Sequence, residues 1–152
     1  MVGREDKKKN DLFFLCSLIE YIARKTLNKP QVIVNALGRK NLEKIYDLAD
    51  VYHCDNIDDV SDDFISECNI QQGSFDNVNT CMYNVPTHWD IGKVYKRLVL
   101  SIAEEENTDV ISALIRLHSN ILVDKIENYN SDMYYQNNSI LLDYYRGNNY
   151  GE

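Results

Sequence analysis

Residues 108–126 read TDVISALIRLHSNILVDKI, and this stretch decides the fold class. Val110, Ile111, Leu114, Ile115, His118, Ile121, Leu122 and Ile126 recur at the three-and-four spacing of one helix face, with Thr108 placed to cap it. A strand would alternate at every second position, so the stretch predicts a helix packed along one side. The residues before it repeat the pattern. Thr87-His88-Trp89-Asp90 is a Thr-x-x-Asp start, and Ile91, Val94, Tyr95, Leu98, Val99 and Ile102 form a second stripe. Glu104-Glu105-Glu106 closes that helix with three acids at its negative dipole end, which calls for a basic neighbour or a frayed turn.

Upstream, Asn10 or Asp11 opens a helix to about Leu27, with Leu12, Leu15, Cys16, Ile19, Ile22 and Ala23 facing inward. Asn28 is read as the cap of a short second helix, with Gln31 as its capping-box partner and Pro30 in the first turn. Gly38 stops it, and a third helix follows to Ala49. Asn56 opens a fourth, with Ile57, Val60, Phe64, Ile65 and Cys68 inward and Asp58, Asp59, Asp62 and Asp63 outward. The pattern lapses over 69–85, where Gln72-Gly73 marks a turn and residues 81–85 read as a short extended segment before Pro86. The tail holds one more short helix near Ser139–Tyr145. The expectation is an all-α compact bundle of six to seven short helices. It is read as a single domain over 1–152, with sub-lobes 10–68 and 86–146 joined by the irregular segment 69–85.

Two prolines and six glycines in 152 residues leave little turn chemistry for a many-stranded sheet, and 44% hydrophobic content suffices for a core. No run approaches the ~20 apolar residues of a bilayer span. No apolar signal segment follows the charged N-terminus, and Cys16, Cys54, Cys68 and Cys81 contain no Cys-x-x-Cys pair. A cytoplasmic protein with free thiols and no membrane association is expected. The formal net charge of −8 argues against a nucleic-acid binder. Charge is also segregated. Residues 47–92 hold ten acids and no Lys or Arg, whereas residues 1–46 hold ten bases against five acids. Such polarity suits a charged protein partner or pairing within the fold.

No residue pattern points to a catalytic group, a metal or a cofactor. The three histidines lack His-x-x-x-His or His-Glu-x-x-His spacing, and Cys54 and Cys68 sit among acids that disfavour a thiolate. The 55–67 acids lack the ligand spacing and the glycine of a calcium loop. The partner-binding candidates are therefore Asp58, Asp59, Asp62, Asp63 and Glu67 on the acidic helix, and Tyr134, Tyr135, Tyr144 and Tyr145 in a tail crowded with tyrosine up to Tyr150. The alternative is an enzyme or small-ligand domain with a pocket between the halves, lined by His53, His88 and Trp89. A homodimer built on the tyrosine tail is a third reading.

The segments Phe13-Phe14-Leu15-Cys16-Ser17-Leu18-Ile19-Glu20-Tyr21, Lys29-Pro30-Gln31-Val32 with Leu37, Tyr46-Asp47-Leu48-Ala49-Asp50-Val51-Tyr52-His53 and Asn56-Ile57-Asp58-Asp59-Val60 carry a resemblance. Over residues 12–65 they resemble a small bacterial family of helical proteins, often encoded beside predicted ADP-ribosyltransferase-like toxins. The resemblance implies a non-enzymatic, antitoxin-like or accessory protein whose partner, a toxin, presents a basic surface. It implies no catalytic residues and leaves 75–152 outside its reach.

Overall fold

The computed structural model describes residues 4–147 and, within them, eight α-helices, one 3₁₀ turn and no strand. They are α1 (Arg4–Thr26), α2 (Pro30–Asp47), α3 (Ala49–His53), α4 (Ile57–Glu67), α5 (His88–Glu105), α6 (Val110–His118), α7 (Leu122–Ile126) and α8 (Asn138–Tyr145), with the 3₁₀ turn at Met133–Tyr135. Tyr150 and the first three residues lie outside the described part. The all-α expectation holds, and segment 81–85 forms no strand.

The stripes read on α1 and α5, placed in different sub-lobes by the sequence reading, pack on each other. Leu12, Leu15, Leu18, Ile19 and Ile22 of α1 are buried against α5, whose Ile91, Tyr95, Leu98, Val99 and Ile102 are buried in return. Each such aliphatic side chain contributes about 1.5–3 kcal/mol when fully removed from water. α2 and α6 also pack on this pair, α3 and α4 lie along α1, and α8 closes against α5. Buried residues from both halves of the chain thus form one cluster. The α1–α5 crossing is close because Gly92 faces Ser17; a Cβ on Gly92 would overlap the Ser17 side chain and crowd its Cα.

Several ends differ from the sequence reading. α2 has Lys29 at its N-cap with no side-chain bond, because Asn28 turns away. Its amide donates to Gln71 O at 2.8 Å, and Gln31 donates to Asp124 at 3.0 Å. Gly38 (φ 73°) breaks α2 where expected, yet the helix resumes on the far side as the predicted third helix. Residues 49–53, expected as a helix end and linker, form α3. The helix read from Thr108 starts instead behind Asp109, whose side chain accepts from Ser112 N, and it is cut into α6 and α7 at residues 119–121. Asn120 stabilises the cut: Oδ1 accepts from Leu122 N at 2.9 Å, and Nδ2 donates to Tyr145 O at 3.0 Å. Asn56 and the Thr87/Asp90 capping box stand as read. The acids ending α5 have their basic neighbours, Arg116 on Glu106 and Arg146 on Glu105.

The irregular segment buries Ile70 in the core and is otherwise strapped to the bundle by polar bonds. Gly73 N and Phe75 N donate to Thr26 O and Leu27 O, each at 2.8 Å. Asn77 Nδ2 donates to Glu127 O at 2.9 Å, and Met82 N donates to Asn130 Oδ1 at 2.7 Å. This fastening explains how seventeen residues without secondary structure persist in one arrangement. Among the described residues no helix is long and apolar enough to cross a membrane.

Candidate functional site

The α1–α5–α7 packing encloses a buried polar network that the hydrophobic pattern did not reveal. Glu20 (1% exposed) and Glu127 (2%) lie side by side, bridged by Tyr129, with Tyr95 on the far oxygen of Glu127. Tyr129 donates to Glu20 Oε1 at 2.5 Å and lies 3.4 Å from Glu127 Oε1, while Tyr95 donates to Glu127 Oε2 at 2.6 Å. Arg24 supplies the positive charge. Its Nη2 donates to the Tyr129 hydroxyl at 3.0 Å and to Pro86 O at 2.7 Å, and its Nε lies 3.8 Å from Glu20. Burial first, then the adjacent Glu20 carboxylate, push the Glu127 carboxyl well above its ordinary range. A proton on Glu127 donates to Glu20, and the trio with Arg24 is then electrically balanced.

A cleft of about 330 Å³ opens beside this network, between segment 74–80 and residues 124–130. Glu127 and Tyr129 reach its floor, and Lys29, Phe75 and Asp124 form part of its wall. Most of its polar groups are already committed: Lys29 pairs with Asp124 at 3.2 Å, Asp76 accepts from Asn79, and Asn130 is bonded to Thr80 and Met82. Such a set holds the loop to α7 and leaves few groups converging on a ligand. His118 is similarly internal. Nδ1 donates to Leu114 O across 2.8 Å, its ring lies 5.2 Å from that of Tyr95, and burial lowers its pKa to about 4.

The residues proposed from the sequence fall into three places. On α4, exposed Asp58 and Asp62 pair with Lys25 at 3.1 and 2.6 Å, and Asp58 also accepts from Tyr21. Asp59, Asp63 and Glu67 remain exposed, four residues apart along one side. His53 and His88 lie on either side of Trp89, with ring centroids 6.2 and 4.7 Å away. Tyr21 edges His88 at 4.9 Å, and Phe13 and Phe14 complete an aromatic cluster on α1. Among the described residues neither histidine bonds a carboxylate. Burial and the Arg24 charge hold His88 below its ordinary pKa. The clefts described here are not lined by these three residues.

The tail tyrosines divide. Tyr145 donates to Glu106 at 3.0 Å, and the Tyr144 ring lies beneath Lys125, so both serve the packing of α8. Tyr134 stands on Tyr129 and Tyr135 in successive edge-to-face contacts of 5.7 and 5.0 Å. Tyr135 is 67% exposed, and across from it Met82 and Tyr83 are 76% and 66% exposed. Tyr83, Tyr134 and Tyr135 line one cleft of about 460 Å³, and an adjoining cleft of about 500 Å³ carries Tyr134 and Tyr135 onward past Val85 to Lys93 and Arg97 of α5. The two share Asn84, Tyr134 and Tyr135 and form one groove.

Sequence reasoning missed Glu20, Arg24, Tyr95 and Glu127, and also Met82, Tyr83 and the basic end of the groove. One signal was present: Glu20 stands four residues after Cys16 and three before Ala23, on the buried stripe of α1. An acid there demands a buried partner. Its partner is over a hundred positions away, and no local pattern names it. Comparison with protein families, with curated proteins and with solved structures gave no match.

Proposed function

We propose that this chain is a helical protein-binding module whose docking surface is the groove between segment 82–86, α5 and the 3₁₀ turn at Met133–Tyr135. The observation that carries this reading is the grouping of exposed Tyr83, Val85 and Tyr135 around one groove. Large apolar side chains scattered over a surface need no explanation, but a contiguous aromatic patch is a feature of interfaces. The groove is also held in shape from beneath. Arg24 fixes Pro86 on one wall, and Tyr129 supports Tyr134 on the other. A partner therefore meets walls that need little ordering on binding.

Site-specific photo-crosslinking in cells tests the reading. Benzoylphenylalanine at position 83 or 135 is expected to trap one discrete partner, while the same group at exposed Val32 or Ile121 traps none. Equal labelling from all four positions, or no adduct from 83 and 135, overturns it.

A second surface is favoured by the division of the acids on α4. Asp58 and Asp62 are spent on Lys25, whereas Asp59, Asp63 and Glu67 carry no ion pair among the described residues. With the resemblance of residues 12–65, that strip suits the basic face of an ADP-ribosyltransferase-like toxin, in an antitoxin-like role. Charge reversal at Asp59, Asp63 and Glu67 should then abolish toxin capture, and unchanged capture removes this reading.

A further inference from the structure

About half of the exposed bases in this acidic protein are engaged in ion pairs. Lys7 pairs with Asp11, Lys25 with Asp58 and Asp62, Lys29 with Asp124, Arg39 with Glu43 and Asp109, Arg116 with Glu106, and Arg146 with Glu105. Like Lys8, Lys40 and Lys44, the α5 bases Lys93, Lys96 and Arg97 are outside these pairs, but they alone stand three together on one helix. They stand on one face of α5 at three-and-four spacing, with no ion pair to any described residue. They crowd one another and Lys9 instead: burial, then the neighbouring charges of Arg97, Lys93 and Lys9, lower the Lys96 pKa. Three like charges left together in a chain of net charge −8 are a cost the fold itself does not offset.

Two of the three, Lys93 and Arg97, line the tyrosine groove. The acid nearest them in the groove wall, Asp90, is occupied as the capping-box partner of Thr87, 2.9 Å from its N–H. The opposite end of the groove carries Asp132. The groove is therefore polar along its length, cationic at α5 and anionic at the 3₁₀ turn, with the exposed aromatics between. Its 82–86 wall offers one more feature. The N–H groups of Tyr83, Asn84 and Val85 enter no hydrogen bond within the described chain. An extended segment lying beside them would find donors for its carbonyls.

Resting on the docking reading above, we infer that the groove takes an acidic segment of a protein partner, its carboxylates on Lys93 and Arg97 and an apolar anchor between Tyr83 and Tyr135. A nucleic acid fits less well. Three cations in a chain of this net charge neutralise few phosphates, and Asp132 and Asp90 stand in the same groove. Charge complementarity of this kind sets partner choice and association rate more than it adds raw affinity.

Fluorescence anisotropy with a short labelled peptide, a Leu-Trp pair followed by four glutamates, provides the test. Saturable binding is expected, weakening between about 50 mM and about 300 mM NaCl as screening shortens the reach of the charges. Charge reversal at Lys93 and Arg97 should weaken it by at least about tenfold. Tyr135→Ala should weaken it as well, and reversal at exposed Lys40 and Lys44 should leave it unchanged. Binding of the lysine counterpart peptide, no peptide binding at all, or equal losses from the Lys40/Lys44 variant overturn the inference. A single-stranded oligonucleotide that binds in the peptide's place, or a wild-type chain that self-associates through the groove, overturns it equally. Crosslinking from position 83 or 135 that survives the Lys93/Arg97 reversal keeps the docking surface and removes the acidic occupant, so the two readings fail separately.

Discussion

The hydroxyl of Tyr129 lies 2.5 Å from Oε1 of Glu20, a residue 109 positions earlier in the chain. This bond joins the loop after α7 to the middle of α1 and places a donor on a carboxylate that water cannot reach. Tyr129→Phe leaves Glu20 Oε1 without that donor while preserving the ring that supports Tyr134. The expected loss of stability is about 1–3 kcal/mol. In a chain of this size that is a fall in Tm of about 2–10 °C. Calorimetry checks the loss, and an unchanged Tm would show the bond to be idle.

Glu127 predicts a pH dependence of definite sign. Its folded pKa is raised, so the folded state keeps a proton that the unfolded state releases near the ordinary value of 4.5. Its contribution to stability is full below that pH and is lost as pH rises toward the folded value, at up to about 1.4 kcal/mol per pH unit. Glu127→Gln keeps a donor for Glu20 and an acceptor for Tyr95 without a titrating proton. Urea melts at a series of pH values should show the variant gaining on wild type as pH rises above 4.5. Parallel curves would remove the shared proton.

His118 acts in the opposite direction. Burial lowers its pKa from 6.5 to about 4, so it must be charged in the unfolded chain before it is charged in the folded one. Stability present above pH 6.5 is lost as pH falls toward 4. His118→Gln retains a side-chain donor for Leu114 O and should flatten this acid limb. Resonance titration of the histidine provides the direct check, since a midpoint near 6.5 would contradict the burial argument.

At the helix crossing, Gly92→Ala pits propensity against packing. Alanine favours a helix interior by about 1 kcal/mol over glycine. A Cβ at 92, however, meets the Ser17 side chain and Cα within a fully buried contact. Overpacking of this kind costs about 1–3 kcal/mol, so a net loss is expected in denaturant melts. Ser17→Gly in the same chain should recover part of it. A stabilised Gly92→Ala protein would mean that α1 and α5 separate freely.

The acids of α4 divide by their partners, since only Asp58 and Asp62 pair with Lys25. Reversing Asp58 and Asp62 to lysine puts two new cations beside Lys25, whereas reversing Asp59 and Asp63 disturbs no described ion pair. The first variant should lose more stability than the second, by the small amount that exposed pairs contribute. Equal melting midpoints would show that the Lys25 contacts contribute nothing.

The sequence by itself determined the fold class and most helix positions. Periodicity and caps are local quantities, so Asn56 and the Thr87/Asp90 box were legible without any knowledge of the rest of the chain. So was Gly38, although the helix resumed beyond it. The inward stripe of α5 was equally plain, since Ile91, Leu98, Val99 and Ile102 are buried in the fold. The most strongly patterned stretch, 108–126, was nonetheless cut in two. Asn120 gains a bond to the Tyr145 carbonyl there, and that carbonyl is supplied by a helix twenty-five residues away. Only the tertiary structure decided which acids of α4 are spent on Lys25 and which tail tyrosines face solvent. It alone brought Glu20 to Glu127 and laid Tyr83 opposite Tyr135. These are relations between distant residues, set by how the helices pack, and hydrophobic spacing along one helix carries no information about them.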